Sequence, residues 1–282
     1  MRRRDLDTVF EFFHHISPII LSLVAKNFRK SQQIRNKSKE EESINFVTGT
    51  DLEAEKIIVE NIISKFPNDL ILSEEAFSKT RLDSGKRLWI IDPLCGTANF
   101  AKEIKFFCTN ISLAQNGKVV AACVIDHSQN EYISSIGGNK IFVGKKLVKT
   151  SKSTSGIEIE VDLAGLNKSS KKTRQKHGWF VSRLLTKTDY TLITHVTSLG
   201  FAYVSLGRID AYVTPDIHLW DMAAANFLTE QSGGIVTEIS GDSWKLESKN
   251  VLAARDKNLH RILLELLNNS SGAERRGFSE VI

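Results

Sequence analysis

A chain of 282 residues with 41% hydrophobic and 25% charged residues can bury a substantial core without disulfides or metals to staple it, so one compact unit or two tightly joined halves is expected. The net charge of +5 is modest, and its basic runs (2–4, 145–152 and 168–176) carry no interleaved aromatics for base stacking. They read as solvated loops, with a nucleic-acid or acidic-partner patch the lesser reading. Three cysteines, Cys95, Cys108 and Cys123, are an odd number without paired spacing, which argues against a disulfide framework and for a reducing cytoplasm.

The chain opens Met1-Arg2-Arg3-Arg4 and turns apolar, but Asp5, Asp7, Glu11, His14 and His15 interrupt the run and no small-residue cleavage site follows. An amphipathic helix over 8–28 is predicted instead, with Val9, Phe12, Phe13, Ile16, Ile20 and Leu23 on one face and a kink near Pro18. No apolar run approaches the roughly 18 residues of a membrane span, so no membrane is expected. Residues 29–43 are polar and read as a loop.

A second helix begins at Thr48-Gly49-Thr50-Asp51, where Thr50 and Glu53 have capping-box spacing, Val59, Ile62, Ile63 and Phe66 follow on one face, and Pro67 ends it. Taken alone, Asp51 is as readily an ordinary first-turn acid as a ligand. Residues 70–73 form a short strand leading into Glu74-Glu75, a pair that would usually be just solvated.

The run Trp89-Ile90-Ile91-Asp92-Pro93-Leu94-Cys95-Gly96-Thr97-Ala98-Asn99-Phe100 concentrates the chemistry. Residues 88–91 read as a buried strand stopped by Pro93, while Gly96 lets the backbone approach a ligand and opens a helix whose amides favour anions. Asp92 then stands beside a phosphate site.

Downstream, 111–115 and 118–125 are apolar runs joined by Asn116-Gly117, a strong hairpin signal, and 131–136 with 141–143 form another around Gly137-Gly138. These describe an antiparallel sheet covered by helices. The charged, serine-rich stretch 145–155 reads as the join between an N-terminal half, 1–146, and a C-terminal half, 147–268. In the second half, 157–161 alternates as a strand, 167–177 reads as a loop, and a helix is placed over 179–185. An apolar run over 199–206 leads through Gly207 to a short strand. Asp221 then opens an alanine-rich helix ending before Gly233-Gly234. Strands over 235–239 and 251–254, a helix over 259–267 and a frayed tail, 269–282, complete the chain.

The blocks Asp92-Pro93-Leu94-Cys95-Gly96-Thr97, Trp220-Asp221 and Gly233-Gly234 together resemble the signature of the inositol monophosphatase family, magnesium-dependent sugar and inositol phosphatases, over about residues 45–256. The resemblance implies an α+β or α/β layered sandwich (αβαβα) and a metal-dependent phosphomonoesterase acting on a small phosphorylated substrate. It implies that Glu74, Asp92 and the Leu94 carbonyl bind a first Mg2+, that Asp92 bridges to a second held by Asp221, and that Asp51 helps a third. Thr97 with Glu74 would orient the attacking water, and the amides near Gly96 and Thr97 would hold phosphate oxygens. Relatives are commonly homodimers. The residues support this independently, with acids on separate strand ends and helix starts, a Gly-Thr turn, and no nucleophile-triad spacing. Neutralising a phosphate dianion and activating water are tasks for hard divalent ions held by oxygen ligands.

Cys95 departs from the pattern, standing where the family has a second bridging aspartate. A neutral thiol is a poor, soft ligand for magnesium. Reduced or lost Mg2+-dependent turnover is therefore expected, with tolerance of Mn2+ or Zn2+; the alternatives are that Asp92 and Asp221 suffice or, least favoured, that Cys95 senses redox state. His195-Val196-Thr197-Ser198 replaces the family's Gly-Ser-Ala-Ala, and Thr214 replaces its sugar-contacting glutamate. Inositol phosphate is thus one candidate beside a nucleotide 3′-phosphate, histidinol phosphate or a sugar phosphate, and Ala98-Asn99-Phe100 leans towards the inositol branch. His195 and His218 read as structural, and Trp220 as packing behind Asp221. The rival reading is a weakened enzyme kept as a binding or regulatory protein, as some bacterial relatives serve transcription complexes.

Overall fold

The computed structural model describes residues 3–29, 35–36, 46–75, 85–150, 156–163, 166, 169–195 and 197–268. Most of the expected 29–43 loop, residues 151–155 of the join, Lys168, Val196 and the 269–282 tail lie outside them.

Helix α1 (Arg3–Asn27) continues through Pro18 and buries Val9, Phe12, Phe13, Ile16, Ile20 and Val24. By length and composition it does reach the range of a membrane-spanning helix, contrary to the reading from uninterrupted apolar runs. Its apolar face, however, is taken up by the core. Phe12 and Phe13 meet Trp89, and Val9 to Val24 share one cluster with Ile58, Ile62, Ile91 and Ile111. The two-residue strands β1 (Arg35–Asn36) and β2 (Phe46–Val47) pair antiparallel ahead of α2 (Gly49–Lys65). The capping box of α2 joins Thr48 to Asp51 rather than Thr50 to Glu53. The inward face carries Ala54, Ile58 and Ile62, while Ile63 is exposed.

Helices α1 and α2 cover one face of a seven-stranded sheet ordered β3-β4-β5-β6-β7-β8-β9. Its strands are β3 (Leu70–Ser73), β4 (Leu88–Cys95), β5 (Cys108–Gln115), β6 (Lys118–Asp126), β7 (Glu131–Ser135), β8 (Ile141–Val143) and β9 (Lys146–Val148). Asn116 and Gly117 take φ of 53° and 72° in the β5–β6 turn, the left-handed pair that matches strand twist in a two-residue hairpin. Pro93 does not stop β4. The register against β5 shifts between Asp92, paired with Asn110, and Cys95, paired with Cys108, so the proline sits in a bulge where a missing N–H is tolerated.

The short helix α3 (Thr97–Ala101) follows β4. The second sheet runs β11-β10-β12-β14-β13, built from β10 (Glu158–Val161), β11 (Thr191–Ile193), β12 (Ala211–Thr214), β13 (Ile235–Thr237) and β14 (Val251–Ala254). Helices α5 (Leu199–Leu206) and α6 (Leu219–Gln231) lie between the sheets, their Phe201, Val204, Met222 and Ala225 sharing a core with Ala122 and Val124 below and Tyr212 and Ala253 above. Helices α4 (Lys171–Lys187) and α7 (Lys257–Asn268) cover the far face through Phe180, Leu184, Leu259 and Leu263. The layers are therefore αβαβα. Helix α4 starts eight residues before the predicted 179, because the Ser170 side chain accepts from the Thr173 amide and nucleates the polar first turn.

Candidate active site

The candidate side chains arrive from elements far apart in the chain. β3 and β4 run parallel with Ser73 beside Ile91, so Glu74, whose amide donates to the Ile91 carbonyl at 3.2 Å, emerges at the same strand ends as Asp92. Buried Glu55 of α2 fixes that exit by accepting from the Glu75 amide at 3.0 Å and from the Ser73 hydroxyl. Asp92 and Cys95 are three positions apart and would face opposite ways on a regular strand. The bulge between them restores a common face. Asp221 comes from the first turn of α6, where Oδ2 accepts from the His218 amide at 3.2 Å.

These elements bring ligand atoms of Asp92, Cys95 and Asp221 within 4.8 Å of one another. Cys95 Sγ donates to Asp221 Oδ1 at 3.5 Å and accepts from the Ser198 amide at 3.2 Å. Asp92 Oδ1 accepts from the Leu94 amide at 3.0 Å, while Oδ2 is buried with no hydrogen-bond partner. Glu74 lies outside the tight trio, yet its charge helps raise the pKa of Asp51, Asp92 and Asp221 alike, which places it on the same cluster.

Burial pushes Asp92 well above the usual carboxylate range, with Cys95, Glu74 and Asp221 adding to it, and lifts Asp221 to about 7, with Glu74 next. The Cys95 thiol is raised first by its hydrogen bond with Cys108 and then by burial. Buried acids that crowd one another with no basic group among the described residues lowering their pKa, around an orphaned carboxylate oxygen, are what a divalent cation would neutralise. The donor set thus fits a cation, with mixed oxygen and sulfur character.

Thr97 opens α3, its hydroxyl 2.9 Å from both Asp51 Oδ1 and the Leu94 carbonyl. Asp51 also takes the Thr48 amide at 2.9 Å, so it caps its own helix while facing the Gly-Thr turn. Gly96 has φ of +94°, and a Cβ there would meet Thr197 Cβ at 3.1 Å and Phe107 Cβ at 3.2 Å. Both conformation and space therefore require glycine.

The chain matches the inositol monophosphatase family over residues 5–271. It belongs to that family. An inositol monophosphatase of Dictyostelium discoideum is 30% identical over 277 residues, spanning 92% of this chain and 95% of that protein. The Nus factor SuhB of Vibrio cholerae is 29% identical over 252 residues, covering 89% and 92%. The solved Thermotoga maritima IMPase superposes with a TM-score of 0.77 at 26% identity, covering 92% and 96%.

As an inositol monophosphatase family member the chain is a metal-dependent phosphoric monoester hydrolase acting on small phosphorylated substrates. Around the trio, Ser198 and Thr197, marked in the sequence only as a departure from the family pattern, reach the Cys95 sulfur at 3.0 and 3.5 Å, and two residues that sequence reasoning missed, Asn110 and Cys108, reach Ser198 Oγ at 2.9 and 3.9 Å. Only the strand register reveals Cys108, since nothing in its sequence neighbourhood marks it. His195, read as structural, pairs with buried Glu160 at 3.3 Å and stacks on Phe106 at 4.1 Å. Thr214 is buried at the end of β12, and Trp220 stacks on His218 at 4.6 Å.

Proposed function

We propose that the chain hydrolyses the phosphate monoester of a small alcohol, inositol phosphate first among the candidates, with divalent cations held by Glu74, Asp92, Asp221 and the Leu94 carbonyl and with Asp51 alongside. The observation that carries this reading is the Asp92, Cys95 and Asp221 trio, within 4.8 Å and with Asp92 Oδ2 unpartnered. A bound divalent cation would supply charge neutralisation for the phosphate and lower the pKa of a bound water so that it can be deprotonated to a nucleophile.

The protein's own contribution is positioning. Thr97 spends its hydroxyl hydrogen on Asp51 Oδ1 or the Leu94 carbonyl, which leaves oxygen lone pairs to accept from the attacking water, with Glu74 the nearby carboxylate to take its proton. Amides at the Gly96–Thr97 turn face the phosphate oxygens, and Asp221 and Thr214 mark the alcohol side. Cys95 supplies neutral sulfur where a carboxylate would bring charge. Magnesium binding and turnover are weakened accordingly, while Mn2+ and Zn2+ are better tolerated.

The similarity to Nus factor SuhB, together with Cys95 in the ligand set, favours a second reading in which a weakened phosphatase serves as a regulatory or binding protein. Lys171, Lys172, Arg174 and Lys176 on α4 would then offer a surface for an acidic partner. Phosphate release from inositol, sugar, histidinol and nucleotide 3′-phosphates with Mg2+, Mn2+ and Zn2+ separates the two. Turnover with any cation supports the phosphatase. Absence of turnover, rescued by Cys95→Asp, supports the second reading. The unbridged cysteines accord with a cytoplasmic setting for either.

A further inference from the structure

We propose that Cys95 and Cys108 are an oxidisable dithiol, closed to a disulfide by a peroxide, and that closure takes the Cys95 sulfur out of the cation-binding trio. The inference rests on the reading that Asp92, Cys95 and Asp221 hold a cation.

The two cysteines are direct partners across β4 and β5. Directly opposed residues of antiparallel strands have Cα atoms about 4.5 or 5.5 Å apart depending on pair type, and both separations lie inside the roughly 4.4–6.8 Å that a disulfide spans. Opposed residues also share a face of the sheet. The thiols converge on the same atoms: Ser198 Oγ is 3.0 Å from Cys95 Sγ and 3.9 Å from Cys108 Sγ, and Thr197 Oγ1 is 3.5 and 3.9 Å away. Closing the pair requires side-chain rotation rather than strand movement.

The pair is also asymmetric. Cys95 is 6% exposed and faces the carboxylates, whereas Cys108 is fully buried behind it. A small oxidant entering the cation site therefore meets Cys95 first. Cys95 passes its proton to Asp221 Oδ1, 3.5 Å away, as its sulfur attacks one oxygen of hydrogen peroxide; the O–O bond breaks, and the departing hydroxide takes that proton back from Asp221 to leave as water, with a sulfenic acid on Cys95. Cys108 sulfur then attacks Cys95 sulfur, the S–O bond breaks, and the second oxygen leaves as water. Two thiols and one peroxide thus become one disulfide and two waters, with the cysteines oxidised and the peroxide reduced.

Cys123 is the internal control. It is fully buried on β6 opposite Ile111 and Ser134, with Ser17 Oγ 3.5 Å from its sulfur and no cysteine opposite. Cation binding and disulfide closure compete for Cys95, so each should suppress the other.

The test treats metal-free protein with hydrogen peroxide, removes the excess peroxide, unfolds the protein in guanidinium so that buried thiols are reached, blocks residual thiols with iodoacetamide, and maps peptides without reductant. The expected result is a Cys95–Cys108 linked peptide, lighter than its parts by two hydrogens and released by dithiothreitol, with Cys123 alkylated. Cys108→Ser should abolish the link and leave a Cys95 sulfenic acid that dimedone captures. Oxidised protein should bind Mn2+ at least about tenfold more weakly, as loss of a donor beside a metal does, and Mn2+-loaded protein should form the link more slowly. Recovery of all three cysteines alkylated, or a link to Cys123, overturns the dithiol. A Cys95–Cys108 link with unchanged Mn2+ affinity overturns the competition while leaving the disulfide chemistry in place.

Discussion

Cys95 Sγ and Asp221 Oδ1 meet at 3.5 Å, a thiol from the end of β4 donating to a carboxylate from the first turn of α6. The neutral donor lets Asp221 approach the cluster without the repulsion that a second carboxylate would add. The same substitution removes a negative charge and a hard ligand from any cation bound there.

Cys95→Asp should therefore tighten Mg2+ binding and raise Mg2+-dependent phosphate release. One added charge beside a divalent ion gives an expected gain of about tenfold or more, since each 1.4 kcal/mol is a factor of ten. Mg2+ titrations of the two proteins side by side check it, and equal affinities would show that the thiol costs the site nothing.

Thr97→Val keeps the shape of the α3 turn but removes the hydroxyl that meets Asp51 and the Leu94 carbonyl. Loss of a group that orients the attacking water should lower kcat by about a hundredfold, the lower end for positioned proton-transfer groups, with KM nearly unchanged. A rise in KM at constant kcat would assign Thr97 to substrate binding instead.

Gly96→Ala confronts both a φ of +94° and the Thr197 and Phe107 Cβ atoms at 3.1 and 3.2 Å. A left-handed non-glycine residue costs about 1–3 kcal/mol, so the denaturant midpoint should fall with the slope unchanged. Wild-type stability in this variant would contradict the backbone geometry at the turn.

Much of this was legible in the sequence because local chemistry dictated it. Asn116-Gly117 could only be a tight hairpin turn, and Asp221 before an alanine-rich run marked the start of α6. Where the sequence misled, tertiary context had won. Pro93 looked like a strand stop, yet a bulge against β5 absorbs it and turns Asp92 and Cys95 to one face. Thr50 and Glu53 had capping spacing, but Thr48 pairs with Asp51 two residues earlier. The meeting of Cys95 with Cys108 and Ser198 depends on strand register and on α5 lying between the sheets, which no local pattern encodes.

His195 offers a pH test. Its contact with the Glu160 carboxylate, 3.3 Å away, raises the imidazole above its ordinary 6.5 despite an opposing effect of burial, whereas Glu160 is raised mainly by burial against the pull of His195. A histidine raised on folding stabilises fully below the unfolded value and loses that contribution as pH climbs through the folded value. The Tm advantage of wild type over His195→Gln should thus be largest below pH 6.5 and shrink above it. A constant difference across that window would mean that the Glu160 contact carries no charge.

The central claim is that acids from separate elements gather to hold a cation that acts on a phosphate ester. Its most direct test is phosphate release from inositol phosphate and the other candidate esters by wild type and Asp221→Asn, titrated with Mg2+, Mn2+ and Zn2+. Release that requires a divalent cation and falls at least about a hundredfold in the variant, the scale of losing a metal ligand's support, is the predicted result. Release that persists in chelator, or that Asp221→Asn leaves intact, would contradict the account.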